Sequence, residues 1–196
     1  KALQSRIDLQ NEYSSFDLNS WIFDHLDLKD PHTCLDLGCG TGNQALKIAS
    51  NLNFSGHITA VDVSEESLAS LMISASNQGI MDRLTTIHSE LDDVPSILED
   101  KLYDRIYSSY ALYYVRNAEV LFKSLSKSLL QDGKFFYCGP ARNNNWELRS
   151  LISEVTGNAS VLDDTVASRF METEGIELTR KFFPKVELYN FKNVVS

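Results

Sequence analysis

Apolar and polar positions along this chain switch between two periods. Short apolar-rich runs bounded by turn residues recur at 33–37, 57–63, 84–89, 104–110 and 134–138. Each reads as a strand. Helical spacing fills the intervals at 43–51, 64–78, 118–130 and 144–155. Ser64, followed by Glu65 and Glu66, is an N-cap with acids in the first turn, and Gly79 follows as a stop. Gln131-Asp132-Gly133 and Gly157 close the next two helices in the same way. Residues 1–30 form a helical preface carrying Tyr13, Phe16, Trp21 and Phe23. Residues 157–173 are polar and irregular, a loop or a short helix. A helix at about 174–183 and a sixth strand at 186–191 end the chain. Strands alternating with helices predict an α/β fold: a doubly wound, mostly parallel sheet with helices on both faces.

Composition narrows the class. At 196 residues, with 43% hydrophobic and 23% charged, the chain has the make-up of one soluble globular domain with a full core. Its net charge of −9 argues against a protein that tracks a nucleic-acid backbone, while leaving small or cationic ligands open. No apolar run reaches membrane-spanning length and no secretory leader pattern opens the chain. The first residue is Lys1 rather than methionine, so further residues upstream are expected. Cys34, Cys39 and Cys138 are an odd count without metal-ligand spacing. Cys34 and Cys138 read as small buried hydrophobes in a reducing cytoplasm.

Chemistry concentrates in residues 34–45, Cys-Leu-Asp-Leu-Gly-Cys-Gly-Thr-Gly-Asn-Gln-Ala. A strand carrying one acid, Asp36, runs into glycines at 38, 40 and 42 and then into a helix. Glycines without Cβ let a nucleotide-like ligand lie against main chain. The acid beside the loop suits a ligand with positive charge and hydroxyl donors better than a pyrophosphate. Asp62 ends the second strand, where an acid can accept both hydroxyls of a ribose. Gly40-x-Gly42-x-x-Ala45 also satisfies a dinucleotide fingerprint, so a nicotinamide-dependent oxidoreductase stands as the rival reading. Against it, Asp-Leu-Gly-Cys precedes the fingerprint in place of an apolar strand entry. The third strand also runs into the acidic stretch Ser89-Glu90-Leu91-Asp92-Asp93, where a carboxylate can meet an adenine amino group.

Taken in order, these motifs resemble those of class I S-adenosylmethionine-dependent methyltransferases of the small-molecule branch. The matches are the D-x-G-x-G-x-G loop from Asp36, the acid Asp62, and Tyr103-Asp104-Arg105-Ile106-Tyr107-Ser108-Ser109 at strand four. Leu129-Leu130-Gln131-Asp132-Gly133 with Gly139-Pro140 completes them at strand five. The resemblance spans about residues 30–191. It implies a Rossmann-like domain over 31–196, with 1–30 as a helical lid segment. The family's seventh strand falls beyond this chain's end, so a truncated sheet is expected. Three positions depart from the pattern: Asp132 for a glycine, Glu90 for an aspartate, and Tyr113-Tyr114 where many members carry histidines.

The resemblance also implies the cofactor, S-adenosylmethionine, and its contacts. Gly38, Cys39, Gly40, Thr41 and Gly42 would lie under the methionine part and ribose. Asp36 would orient the loop and draw the ammonium. Asp62 would take the ribose hydroxyls and Val63 would pack on adenine. Glu90 and Leu91 would meet the adenine edge, with Asp92 or Asp93 as substitutes for Glu90. The backbone near Ser108 would accept from the ammonium. Direct displacement at an activated methyl needs mainly proximity, and a base only when the nucleophile holds its proton. Candidates for that role are Tyr110, Tyr114 and His88. The plainer readings are pocket-wall tyrosines and a structural histidine. A binder of S-adenosylmethionine without turnover is a further alternative. No Asp/Asn-Pro-Pro-Tyr/Phe motif, Pro-Cys nucleophile or metal-carboxylate cluster appears. A small-molecule acceptor is therefore expected, with no nucleic-acid, membrane or metal partner.

Overall fold

A computed structural model describes residues 17–28, 32–51, 55–98 and 100–190. Five parallel strands form one sheet: β1 (Thr33–Leu37), β2 (His57–Asp62), β3 (Leu84–His88), β4 (Tyr103–Ser109) and β5 (Leu129–Cys138). Their order is β3-β2-β1-β4-β5, and the pairing is parallel throughout. Eight α-helical segments among the described residues surround them. They are α1 (Leu18–Leu26), α2 (Asn43–Ala49), α3 (Glu65–Gln78), the single turn α4 (Val94–Ile97), α5 (Ala118–Lys127), α6 (Trp146–Thr156), α7 (Val166–Arg169) and α8 (Gly175–Phe182).

Alternation along β1 builds two cores. Cys34 points to one face, where it joins Ile22 and Leu26 of α1, Ile48 of α2 and Leu71 of α3. Leu35 and Leu37 point to the other, where they join Val94, Leu121, Phe122, Leu125 and Leu178. This two-faced burial is the reason β1 reads as nearly all apolar. Each large side chain so buried contributes roughly 1.5–3 kcal/mol relative to exposure.

Local signals set most boundaries. The Ser64 side chain accepts from the Ser67 N–H, and Gly79 closes α3 at φ 70°. Asn117 caps α5 by accepting from the Val120 N–H.

Three expectations need correction. Helix α5 stops at Lys127 rather than residue 130, and β5 starts at Leu129. The register jumps from Tyr103↔Leu129 to Arg105↔Lys134, so the Gln-Asp-Gly turn bulges out inside the strand instead of preceding it. Helix α6 begins two residues late, at Trp146. No sixth strand forms over 186–190, and Phe191 lies outside the described residues. Tyr189 instead packs its ring 4.5 Å from His25 and 6.1 Å from Trp21. Apolar alternation is only half of a strand. The other half is an edge to pair with, and this segment crosses toward α1 without taking one.

The described part of the N-terminal segment is anchored. Ile22 and Leu26 are fully buried, and Trp21 and Phe23 pack on the same core. The guanidinium of buried Arg105 donates to the carbonyls of Leu26, Asp27 and Asp104, capping the end of α1. Tyr13 and Phe16 lie outside the described residues.

Candidate functional site

Strand order reverses direction at β1, with β2 on one side and β4 on the other. Crevices form at such switch points, at the carboxyl ends of the strands. β1 and β4 pair only from Cys34↔Arg105 to Asp36↔Tyr107, then part. The Ser108 hydroxyl donates to the Leu37 carbonyl at 2.8 Å and pins the two strands where they separate.

The glycine loop fills the mouth of this crevice. Gly38, Gly40 and Gly42 all take positive φ (72°, 53° and 84°), which a Cβ would strain. Their surroundings differ. A Cβ on Gly38 would meet the Ala111 Cβ at 2.3 Å, and one on Gly42 would meet Leu71 at 2.2 Å. A Cβ on Gly40 would meet nothing within 4 Å. Two glycines thus permit close packing and the middle one faces open space. The Gly38 and Cys39 N–H groups donate to the Val61 carbonyl, tying the loop to β2. Cys39 is buried, and burial pushes its thiol up. Thr41 is exposed at the loop's rim.

Two acids flank the loop. Asp62 accepts from the Gly40 N–H at 2.7 Å with Oδ2 and from the Ser64 N–H at 2.9 Å with Oδ1. It therefore shapes the loop as well as facing it. Asp36 is 2% exposed. Oδ2 of Asp36 and the Tyr107 hydroxyl are both buried with no hydrogen-bond partner. Burial pushes the Asp36 carboxyl up to about 8, and the Asp62 charge adds to it. A buried polar atom left unpaired costs free energy unless a ligand completes it.

The remaining expected residues spread along the crevice. Val63 is 62% exposed just past β2. Glu90 is ion-paired with Arg116, and Leu91 is half-buried against the second core. Asp92 accepts from the Arg116 and Asn117 N–H groups. His88 has both ring nitrogens engaged, one with the Val63 carbonyl at 2.9 Å and one with Glu65 at 3.2 Å. It stands at the end of β3, three strands from β4, or about 14 Å away at normal strand spacing. That sets it apart from the tyrosines.

Tyr110 lies at the end of β4 with φ 58°, its N–H donating to the Cys138 carbonyl at 2.9 Å. Burial pushes its hydroxyl up to about 12 and pushes that of Tyr113 up as well. Neither phenol is a base near neutral pH. Tyr114 is 76% exposed. Among the described residues no group of three His, Cys, Asp or Glu side chains is set to hold a metal ion.

Sequence reasoning missed Tyr107, Ala111 and Arg116. Tyr107 sits beside Asp36 only through strand register, which no local pattern encodes. A separate cleft of about 350 Å³, lined by Thr33, His57, Thr59, Thr85 and Tyr103, lies at the other end of the strands and shares no residue with the loop.

Residues 28–180 match the family model of a methyltransferase domain. The chain belongs to this family. The methyltransferase domain is 28% identical over 130 residues to the sterol 4-C-methyltransferase strm-1 of Caenorhabditis elegans, covering 66% of this chain and 37% of that protein. It is 30% identical over 109 residues to a probable (S)-tetrahydroprotoberberine N-methyltransferase of Papaver bracteatum, covering 56% and 29%. It thus spans about a third of the length of these curated relatives. A solved S-adenosylmethionine-dependent methyltransferase from Geobacter sulfurreducens, in complex with S-adenosyl-L-homocysteine, superposes with a TM-score of 0.54 at 23% identity, over 63% of this chain and 47% of that one. That likeness establishes the Rossmann-like fold. Among the described residues no helix is long and apolar enough to cross a membrane.

Proposed function

We propose that the domain binds S-adenosylmethionine in the β1–β4 crevice and moves its methyl group to a small molecule by direct displacement. The observation that carries this reading is the Asp36 carboxyl, wholly buried with one oxygen unpaired, beside the open face of Gly40. A cationic amine complements that carboxylate, and a pyrophosphate does not.

When bound, the cofactor supplies a methyl group on a positively charged sulfur that is already a good leaving group. The chain's part is to bind, orient and exclude water. Asp36 would ionise against the ammonium, with the main chain near Ser108 accepting beside it. Gly38, Cys39, Gly40, Thr41 and Gly42 would offer backbone to the methionine part and ribose. Asp62 retains lone pairs for ribose hydroxyls after serving the Gly40 and Ser64 N–H groups. Val63 would cover adenine, while Glu90, held by Arg116, and Leu91 would meet its amino edge. Holding an acceptor in line with the methyl group supplies most of the acceleration. The relatives' names include a sterol and an alkaloid methyltransferase, in keeping with a small-molecule acceptor. The net charge of −9 disfavours nucleic acid. Three free thiols suit a reducing, cytoplasmic setting.

Calorimetric titration with S-adenosylmethionine, S-adenosylhomocysteine and NADH tests the reading. Micromolar binding of the first two, absent for NADH and lost in a folded Asp62→Ala variant, is expected. Binding of NADH alone would overturn it. Release of S-adenosylhomocysteine in the presence of an acceptor panel separates an enzyme from a simple binder.

A further inference from the structure

Tyr107 is the largest fully buried side chain among the described residues. It lies in the core with Ile22, Leu26, Ile48 and Leu71, where a phenylalanine would fill the same space without burying a hydroxyl. That hydroxyl is sealed from solvent and finds no hydrogen-bond partner among the described residues. A buried donor left unpaired is a standing cost to the folded state, so its retention asks for a reason.

The group that answers it is Asp36. β1 and β4 pair Asp36 with Tyr107 directly. Neighbouring strands lie about 4.8 Å apart, and directly paired side chains leave the sheet on the same face. Oδ2 of Asp36 is likewise sealed and unpartnered. A donor without an acceptor thus stands beside an acceptor without a donor. Burial, and then the Asp36 charge, raise the phenol well above its ordinary value, so it keeps its proton and acts only as an O–H group. Cys34, Cys39 and Asp62 also act on the pair, and burial pushes both thiols up, so they stay neutral. Lys47 of α2 turns away to Asp17, and His25 of α1 bonds the Trp21 carbonyl.

We infer that Tyr107 is a positioning residue whose hydroxyl closes on Oδ2 when Asp36 ionises, holding the carboxylate for the ligand's ammonium. The inference rests on the S-adenosylmethionine reading. The terminal torsion of an aspartate is soft, so the carboxyl can turn into reach at little cost. A neutral carboxyl asks little of its inward oxygen, whereas a buried carboxylate needs donors. The ammonium supplies them from the loop side and Tyr107 supplies one from the core. Hydrogen bonds to an ionised acceptor are also about twice as strong as neutral ones. Removing the hydroxyl should therefore move stability and affinity apart, while the loss of a merely structural group would lower both.

Tyr107→Phe tests this, since it removes the hydroxyl and keeps the ring. By calorimetry at pH 7, S-adenosylhomocysteine, which carries the ammonium, should bind the variant more weakly by about ten- to a hundred-fold. Methylthioadenosine, which lacks the amino-acid part, should bind parent and variant alike. The variant's melting temperature should equal or exceed the parent's. In the parent, affinity for S-adenosylhomocysteine should rise with pH up to the Asp36 value of about 8, and in the variant that break should move to higher pH. Unchanged affinity for S-adenosylhomocysteine, equal losses for both ligands, or a melting temperature lowered in step with affinity would each overturn the inference. If the variant does not fold, the unaltered protein decides. Its infrared difference spectrum on adding S-adenosylhomocysteine should lose the band of a neutral carboxyl and shift a tyrosine C–O band; no tyrosine shift would overturn the inference. Binding to the parent is measured first. Failure of both ligands there would bring down the methyl-transfer reading and this inference together, whereas binding that ignores Tyr107→Phe brings down the inference alone.

Discussion

Replacing Asp36 with asparagine removes the charge and keeps the size. In the folded protein this carboxyl is raised from 3.8 to about 8, chiefly by burial. Between those values the folded chain holds a proton that the unfolded chain has released. Stability therefore falls as pH rises from about 4 to about 8 and is flat beyond. At pH 7 the cost comes to roughly 4 kcal/mol, an upper value, from 3.2 units at about 1.4 kcal/mol each. Asp36→Asn has no such group to discharge. Its melting temperature should exceed that of the parent by several degrees at pH 8 and converge with it near pH 4, at roughly 2–4 °C per kcal/mol for a chain of this size. Binding should move the other way. S-adenosylmethionine meets a neutral amide instead of a carboxylate, and loss of a buried charged hydrogen bond of about 2–3 kcal/mol weakens affinity by roughly 30- to 150-fold. The parent should release a proton on binding at pH 7, readable as a dependence of calorimetric heat on buffer ionisation enthalpy. The variant should release none at this position. A parent stability that is flat from pH 5 to 8, or a variant less stable than the parent at pH 8, would refute the reasoning.

The two outer glycines and the middle one should separate cleanly. Gly38→Ala drives a Cβ to 2.3 Å from Ala111 and should cost several kcal/mol in urea unfolding. Gly40→Ala meets only its backbone preference, about 1–2 kcal/mol, while cofactor affinity drops tenfold or more by calorimetry. Equal effects of the two on stability would contradict the open face at Gly40. Arg105→Lys should remove the guanidinium donors to the Leu26 and Asp27 carbonyls and cost about 2–4 kcal/mol, with amide exchange accelerating first across α1; a loss under 0.5 kcal/mol would mean the cap is dispensable. Glu90→Gln removes an exposed ion pair with Arg116 and should change stability by less than about 1 kcal/mol while weakening cofactor binding severalfold.

The alternation of strands with helices, the Ser64 and Gly79 stops and the Gly38–Gly42 loop were legible in the sequence because each is local. A cap acts within three residues, and a left-handed turn needs glycine wherever it falls. The expected strand does not form over 186–190 because alternation reports a face to bury, whereas a strand also needs a partner edge. The end of α5 moved because Leu129 pairs with Tyr103 across the sheet, and that pairing outcompetes one more helical turn.

At the site the division is sharper. Asp36 and Asp62 were readable as acids at strand ends, and the family resemblance assigned them a ligand. Only the folded sheet set Asp36 beside Tyr107, left its Oδ2 unpaired and gave Gly40 an open face while Ala111 and Leu71 closed on its neighbours. Glu90 was readable, but its Arg116 partner was not. His88 was readable as a histidine near the crevice, but its engagement by Val63 and Glu65 was not. Sequence alone determined the loop, the winding and the acids, since these follow from backbone freedom and periodicity within a few residues. Tertiary structure decided which groups are buried, paired or left open, because that depends on strand register and on side chains brought together from distant parts of the chain.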